Sequence, residues 1–151
     1  MQLKIKKLID SAIVPTYGTK GAACFDLYAC DIPLVDISSG EADSVVAIDS
    51  TIIRTGLQFE VPEGQVMLVF SRSGHGFKNN VRLANCVGVI DSDYRGEVMV
   101  KLVYDGFTSN LLVRNGDRIA QAMLVPAQQV TFEVVEELNT TERGTKGFGS
   151  T

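Results

Sequence analysis

The chain ends in Arg143-Gly144-Thr145-Lys146-Gly147-Phe148-Gly149-Ser150-Thr151, which combines a guanidinium, one aromatic ring, three glycines and three hydroxyls. Consecutive Gly, Ser and Thr N–H groups can wrap an anion, an arginine fork matches phosphate oxygens, and an aromatic face can stack on a base. Such a segment either frays as an ordinary terminus or closes over a nucleoside polyphosphate.

Four interior stretches bear on that choice: Ala22 to Ala29, Ser71 to Gly76, Asn85 to Gly96 and Gly116 to Gln121. In the second, Arg72-Ser73-Gly74 sets a guanidinium, a hydroxyl and a permissive backbone side by side, which suits phosphate oxygens as well as an ordinary strand-end turn. A serine hydrolase would need His75, the only histidine, as base to Ser73, but no G-x-S-x-G elbow accompanies them. In the third, the apolar run Val87 to Ile90 ends in Asp91, which is either a turn aspartate or a general base able to deprotonate a water. Asp91, Asp93 and Gly96 begin in calcium-loop register, yet Arg95 takes a ligand position and Leu102 stands where the closing Glu belongs, so calcium is excluded. Tyr94 could pack on a sugar or simply end a strand. Asp26 could hold a metal-bound water or cap a turn.

The elements that must position these groups read as strands. Apolar residues alternate in Leu3 to Ile5, Leu57 to Val61, Val100 to Leu102 and Val130 to Val134, the period of a half-buried strand. Turn chemistry separates them at Pro62-Glu63-Gly64, Asp105-Gly106 and Asn115-Gly116-Asp117, the last a hairpin signal. At most a short helical turn is expected around Leu83 to Ala84. The reading is an all-β sandwich, barrel or jelly roll. At 151 residues and 45% hydrophobic content the chain makes one domain with its own core. A net charge of −4 argues against gripping nucleic acid directly, and the apolar runs fall short of a membrane span, so a cytoplasmic protein is expected, host-cytoplasmic if viral. Cys24, Cys30 and Cys86 form no C-x-x-C pair and are expected in or near the core. The polar stretch Asp36 to Ser50 reads as a variable loop or an extra hairpin.

Together, in this order and spacing, the five segments from Ala22 to Thr151 resemble the five motifs of the trimeric deoxyuridine triphosphate nucleotidohydrolases, the dUTPases. The resemblance implies a distorted β jelly roll (a β-clip) over residues 1–138 and a flexible lid over 139–151. It implies a homotrimer whose lids close over neighbouring subunits' sites. It implies hydrolysis of dUTP to dUMP and pyrophosphate, which limits uracil incorporation into DNA and supplies dUMP for dTMP synthesis. By the same resemblance Asp91 activates the water, Asn85 and the backbone through Gly88 pair with uracil, and Tyr94 packs under the deoxyribose. Arg72, Ser73, Gly74 and Gln121 would hold phosphate oxygens, and Mg2+ would bridge the phosphates with Asp26 contacting its waters. Arg118 would support the subunit interface. Phe148 would stack on uracil while Arg143, Gly149, Ser150 and Thr151 grip the outer phosphates.

The chain departs from the family pattern at Cys24, where glycine is usual, at Ser71, where proline is usual, and at Lys146, where glycine is common. None of these removes a proposed catalytic group. The related dCTP deaminases place a glutamate on the strand after the Tyr-Arg-Gly corner, and Lys101 stands there instead. A further alternative is a nucleotide-dependent regulatory module whose 36–50 segment recruits a protein partner; intact Asn85, Asp91 and Tyr94 favour catalysis.

Overall fold

A computed structural model of the chain describes residues 1–32, 35–36, 42–43, 45–47, 50–106 and 112–149, with backbone alone for 35–36, 42–43, 45–47 and 50. In chain order the strands are β1 (Lys4–Lys7), β2 (Thr16–Tyr17), β3 (Phe25–Tyr28), β4 (Val35–Asp36), β5 (Ala42–Asp43), β6 (Val45–Ala47) and β7 (Ser50–Glu60). They continue as β8 (Gln65–Phe70), β9 (Val81–Leu83), β10 (Val87–Ile90), β11 (Glu97–Tyr104), β12 (Leu112–Arg114) and β13 (Arg118–Pro126). One helix, α1 (Ser73–Asn79), completes the described elements. Two antiparallel sheets dominate, ordered β1-β7-β11-β9 and β10-β8-β13-β3-β2.

Alternation builds the core. Ile53, Thr55, Leu57 and Phe59 of β7 point inward, as do Val98, Val100 and Leu102 of β11 and Met67 and Val69 of β8. The β7–β11 register shifts between Glu97 and Met99, and Gly56 lies in the bulged stretch with φ +69°. A Cβ there would stand 2.8 Å from the Ala12 Cβ, 3.1 Å from Ile9 and 3.2 Å from the Cys30 sulfur. Both the space and the backbone therefore require glycine. Gly56→Ala is expected to destabilise the fold by about 3 kcal/mol through overpacking and strain. A urea titration with an unchanged midpoint would show instead that the Ala12 loop simply withdraws.

The strands expected at Leu3 to Ile5, Leu57 to Val61 and Val100 to Leu102 lie within or next to β1, β7 and β11. Three expectations differ from the structure. Asn115-Gly116-Asp117 does reverse the chain, with Gly116 at φ +86°, but the strands it joins do not pair: β12 ladders with β6, and β13 with β8 and β3. The turn is stitched instead to the segment after β3, where Ile32 N donates to Asn115 Oδ1 at 2.8 Å and Gly116 N to the Ala29 carbonyl at 2.9 Å. Second, no strand forms over Val130 to Val134; Val130, Phe132 and Val134 are 67%, 92% and 98% exposed, and their sequence alternation has no ladder partner among the described residues. Third, the helical turn falls at α1 rather than at Leu83–Ala84, closed by Asn80 in the left-handed region (φ 52°). Within the Asp36 to Ser50 stretch, β4 pairs with β5 and β6 with β12, and the rest lies outside the described residues.

Candidate active site

The Asp91-to-Gly96 corner joins two strands that belong to different sheets. β10 ladders with β8, whereas β11 ladders with β7 and β9. Among the described strands β10 is also the edge of its sheet, so half of its N–H and C=O groups have no partner in them. A cavity of about 400 Å³ lies between the two strands, with Asn85, Gly88 and Ile90 on one side and Met99 and Lys101 on the other. Backbone groups that face such a gap can hydrogen-bond a flat polar ring. Gly88 keeps its floor open, because a Cβ there would press on Val69 at 3.1 Å. Asn85 sits in a tight reversal, with Cys86 at φ 61° and its N–H donating to the Leu83 carbonyl at 3.3 Å. That geometry leaves Cys86 exposed, against its expected place near the core; Cys30 is buried and Cys24 half-buried. Burial and, second, the negative charge of Asp26 push the Cys24 thiol up, which keeps it protonated and unreactive at neutral pH.

Asp91 follows the last residue of β10 and is exposed, so its carboxylate stands at the strand mouth where the sequence pattern put it. Its carbonyl accepts the Tyr94 N–H at 3.2 Å, and Arg95 Nη1 donates to the Ser92 carbonyl at 2.7 Å. The Tyr94 hydroxyl donates to the Glu97 carbonyl at 3.0 Å, and the ring covers Gly96 so closely that any Cβ there would collide with it. Tyr94 remains 43% exposed and free to take a further face. Asp91, Ser92 and Asp93 open onto a second cavity of about 760 Å³.

At the far end of β8 the chain turns through Ser71 and Arg72 into α1. Arg72 Nε donates to Asp26 Oδ1 at 2.9 Å, and Arg118 Nη1 reaches Oδ2 at 3.4 Å. Asp26 is 8% exposed, so the two guanidiniums offset the cost of burying its charge. Arg118 is thus a partner of Asp26 within the chain, a link its sequence context did not signal. Gln121 stands beside Asp26 and Phe70 in the β13 register and donates from Nε2 to the Ser71 carbonyl at 2.9 Å. Ser73 and Gly74 open α1, where the first N–H groups have no intrahelical acceptor. Ser71 has a role the motif did not reveal: its hydroxyl accepts the Leu83 N–H at 2.9 Å and ties β9 to the end of β8. A separate cavity of about 360 Å³, lined by Met1, Leu3, Ile5, Phe25 and Leu124 among others, holds none of the candidate residues.

Register separates the two ends. Phe70 faces Val87 and Met67 faces Ile90, so Asp91 lies level with Val66 near the start of β8, whereas Arg72 follows its end at Phe70. The strand from Val66 to Phe70 alone spans about 13 Å. The structure therefore groups Asp26, Arg72, Gln121 and Arg118, and sets Asp91 and Tyr94 apart from them. In the tail, Arg143 Nε donates to the Lys146 carbonyl at 2.9 Å and Gly144 N to Thr141 Oγ1 at 3.1 Å, while Phe148 is fully exposed and Gly149 has φ +84°. Ser150 and Thr151 lie outside the described residues.

The family model for dUTPase matches residues 10–151. A deoxyuridine 5′-triphosphate nucleotidohydrolase of Nautilia profundicola is 44% identical over 151 residues, spanning 100% of this chain and 99% of the relative. The chain belongs to the dUTPase family. Among solved structures, the Staphylococcus bacteriophage 80alpha dUTPase with dUPNHPP matches with a TM-score of 0.81 at 25% identity, over 99% of this chain and 98% of that one. A variant dUTPase from phage phi11 of S. aureus, solved for the coordination of a structural Mg(II) ion, matches with a TM-score of 0.71 at 22% identity, over 91% and 98%. The nearly all-β jelly-roll-like architecture agrees with these dUTPase folds. No described helix is long and apolar enough to cross a membrane.

Proposed function

We propose that this chain, a cytoplasmic dUTPase, hydrolyses dUTP to dUMP and pyrophosphate by in-line attack of water at the α-phosphorus. The observation that carries the reading is the cavity between β10 and β11, which do not pair with each other, with Asp91 following Ile90 of its lining. Uracil enters between Asn85 and the β10 edge; its hydrogen bonds satisfy strand-edge groups that the fold leaves open, and a base with mismatched donors leaves buried polar groups unpaired. Tyr94 lies under the sugar and excludes a 2′-hydroxyl. Asp91 takes the proton of the attacking water. Arg72, the N–H groups of Ser73 and Gly74, and Gln121 hold the triphosphate.

Mg2+ suits this donor set only as a metal carried by the substrate. Among the described residues no three His, Cys, Asp or Glu side chains cluster to hold a metal directly. Mg2+ keeps several waters and binds chiefly through phosphates, and the Asp26 carboxylate, with a lone pair on each oxygen beyond its arginine bonds, can accept from one of those waters. When bound, the ion would neutralise charge on the phosphates.

Asp91 and Arg72 lie at opposite ends of β8, which supports a site that takes Asp91 from one copy and Arg72 from another. The exposed alternation of Val130, Phe132 and Val134 offers a strand to a neighbour. Both features support assembly of several copies, and the family resemblance makes that assembly a homotrimer. Its lids, residues 139–151, would bring Phe148 onto the base and Arg143, Gly149, Ser150 and Thr151 onto the phosphates of an adjacent site. The test is pyrophosphate release from dUTP, dCTP, dTTP, dATP, dGTP and UTP with magnesium. Release from dUTP alone is expected; release from none would remove the enzyme reading.

A further inference from the structure

The cavity beside Asn85 has one charged side chain in its lining, Lys101, which the reaction as described does not use. Lys101 lies between buried Val100 and Leu102 in β11, so its side chain leaves on the opposite face, with that of Met99. Ile52, directly opposite in the β7 register, is exposed on the same side. Ile52, Met99 and Lys101 together form the mouth of the cavity. The Ala84 N–H donates to the Lys101 carbonyl at 2.8 Å, which fixes this point of β11 against the turn that carries Asn85. Among the described residues no carboxylate pairs with Lys101, whereas Arg54, Arg72, Arg82 and Arg118 each engage an Asp or Glu.

An asparagine amide carries both a donor and an acceptor and can turn over, so Asn85 alone can suit either uracil or cytosine. A lysine ammonium offers three donors and no acceptor. It can bond a carbonyl oxygen and has nothing to offer an amine. Uracil presents two carbonyl oxygens on its ring, and cytosine replaces one of them with an exocyclic amine. Surrounding apolar walls from Val69, Leu83, Val89 and Met99 raise the cost of a mispaired polar group.

We infer that Lys101 is a specificity-determining residue: its ammonium donates to the 4-carbonyl of uracil, the oxygen that cytosine replaces with an amine, and adds to the selection against cytosine made by the strand-edge groups. This rests on the reading of the cavity as the base site, and the experiment separates the two. Binding of dUMP and of dCMP to the full-length protein is measured by calorimetry, and turnover by pyrophosphate release from dUTP. Lys101→Met is expected to weaken dUMP about tenfold while leaving dCMP unchanged, with kcat/KM on dUTP falling by a similar factor. Lys101→Arg, which keeps the charge and the donors, is expected to restore most of the preference. If Lys101→Met does not fold, Lys101→Gln is compared instead, since an amide that both donates and accepts should also lose the preference. An unchanged dUMP to dCMP ratio in the neutral variant overturns the inference. Asn85→Ala identifies which idea failed: if it alone weakens dUMP, the cavity still binds the base and only the role of Lys101 falls. If neither variant alters dUMP binding, the base site itself lies elsewhere.

Discussion

Asp91→Asn is expected to bind a non-hydrolysable imido analogue of dUTP at least as tightly as wild type while releasing pyrophosphate about 10²–10⁴-fold more slowly. The substitution is nearly isosteric and removes only the ability to take a proton. The turn that carries it is held by backbone groups: the Asp91 carbonyl accepts the Tyr94 N–H, and Arg95 braces the Ser92 carbonyl. The Tyr94 ring is anchored separately, through its hydroxyl to Glu97. The corner should therefore keep its shape, and loss of a negative charge near a polyphosphate removes repulsion rather than attraction. Calorimetric titration beside a rate measurement separates binding from turnover. Wild-type turnover in the variant would mean that another group deprotonates the water. Lost binding would mean that the carboxylate holds the nucleotide rather than activates its attacker.

Local pattern carried much of this architecture. The alternation in β7 and β11 is legible because each strand buries one face against the core, and Asp91 is legible because an apolar run ends on it. What local pattern cannot carry is the choice of partner. Asn115-Gly116-Asp117 has hairpin chemistry, yet long-range bonds to Ala29 and Ile32 decide where its strands go. Val130 to Val134 has strand periodicity and no partner among the described residues, so periodicity alone could not make it a strand. The salt bridges of Asp26 depend on a register that joins residues 46 and 92 positions apart. Lys101 shows the same limit: its nearness to Asn85 follows from the β9–β11 ladder, which sets the Ala84 N–H on the Lys101 carbonyl and which no local window of sequence records. Helix α1, with two glycines in seven residues, has too little propensity to announce itself.

Truncation after Glu142 is expected to leave folding and assembly intact while lowering kcat/KM for dUTP about 10²–10³-fold. The described residues beyond the cut include no member of the buried core; the aromatic there, Phe148, is fully exposed. The cut also spares Val130, Phe132 and Val134, the residues offered to a neighbouring copy. The urea midpoint and the sedimentation coefficient should therefore match wild type. The loss in rate follows from two contacts that the tail would make only on a bound nucleotide. A charge-assisted hydrogen bond from Arg143 is worth about 1.5–3 kcal/mol, and stacking of Phe148 on a base about 1–3 kcal/mol. Their sum, about 4 kcal/mol, corresponds to roughly a thousandfold in rate. Positive φ values at Gly144, Phe148 and Gly149 show how sharply this segment can bend, which a strap crossing from one subunit to the next requires. If the truncated protein dissociates or melts early, the tail is part of the assembly rather than a lid. If it keeps full activity, the grip on the phosphates comes from Arg72, Ser73, Gly74 and Gln121 alone.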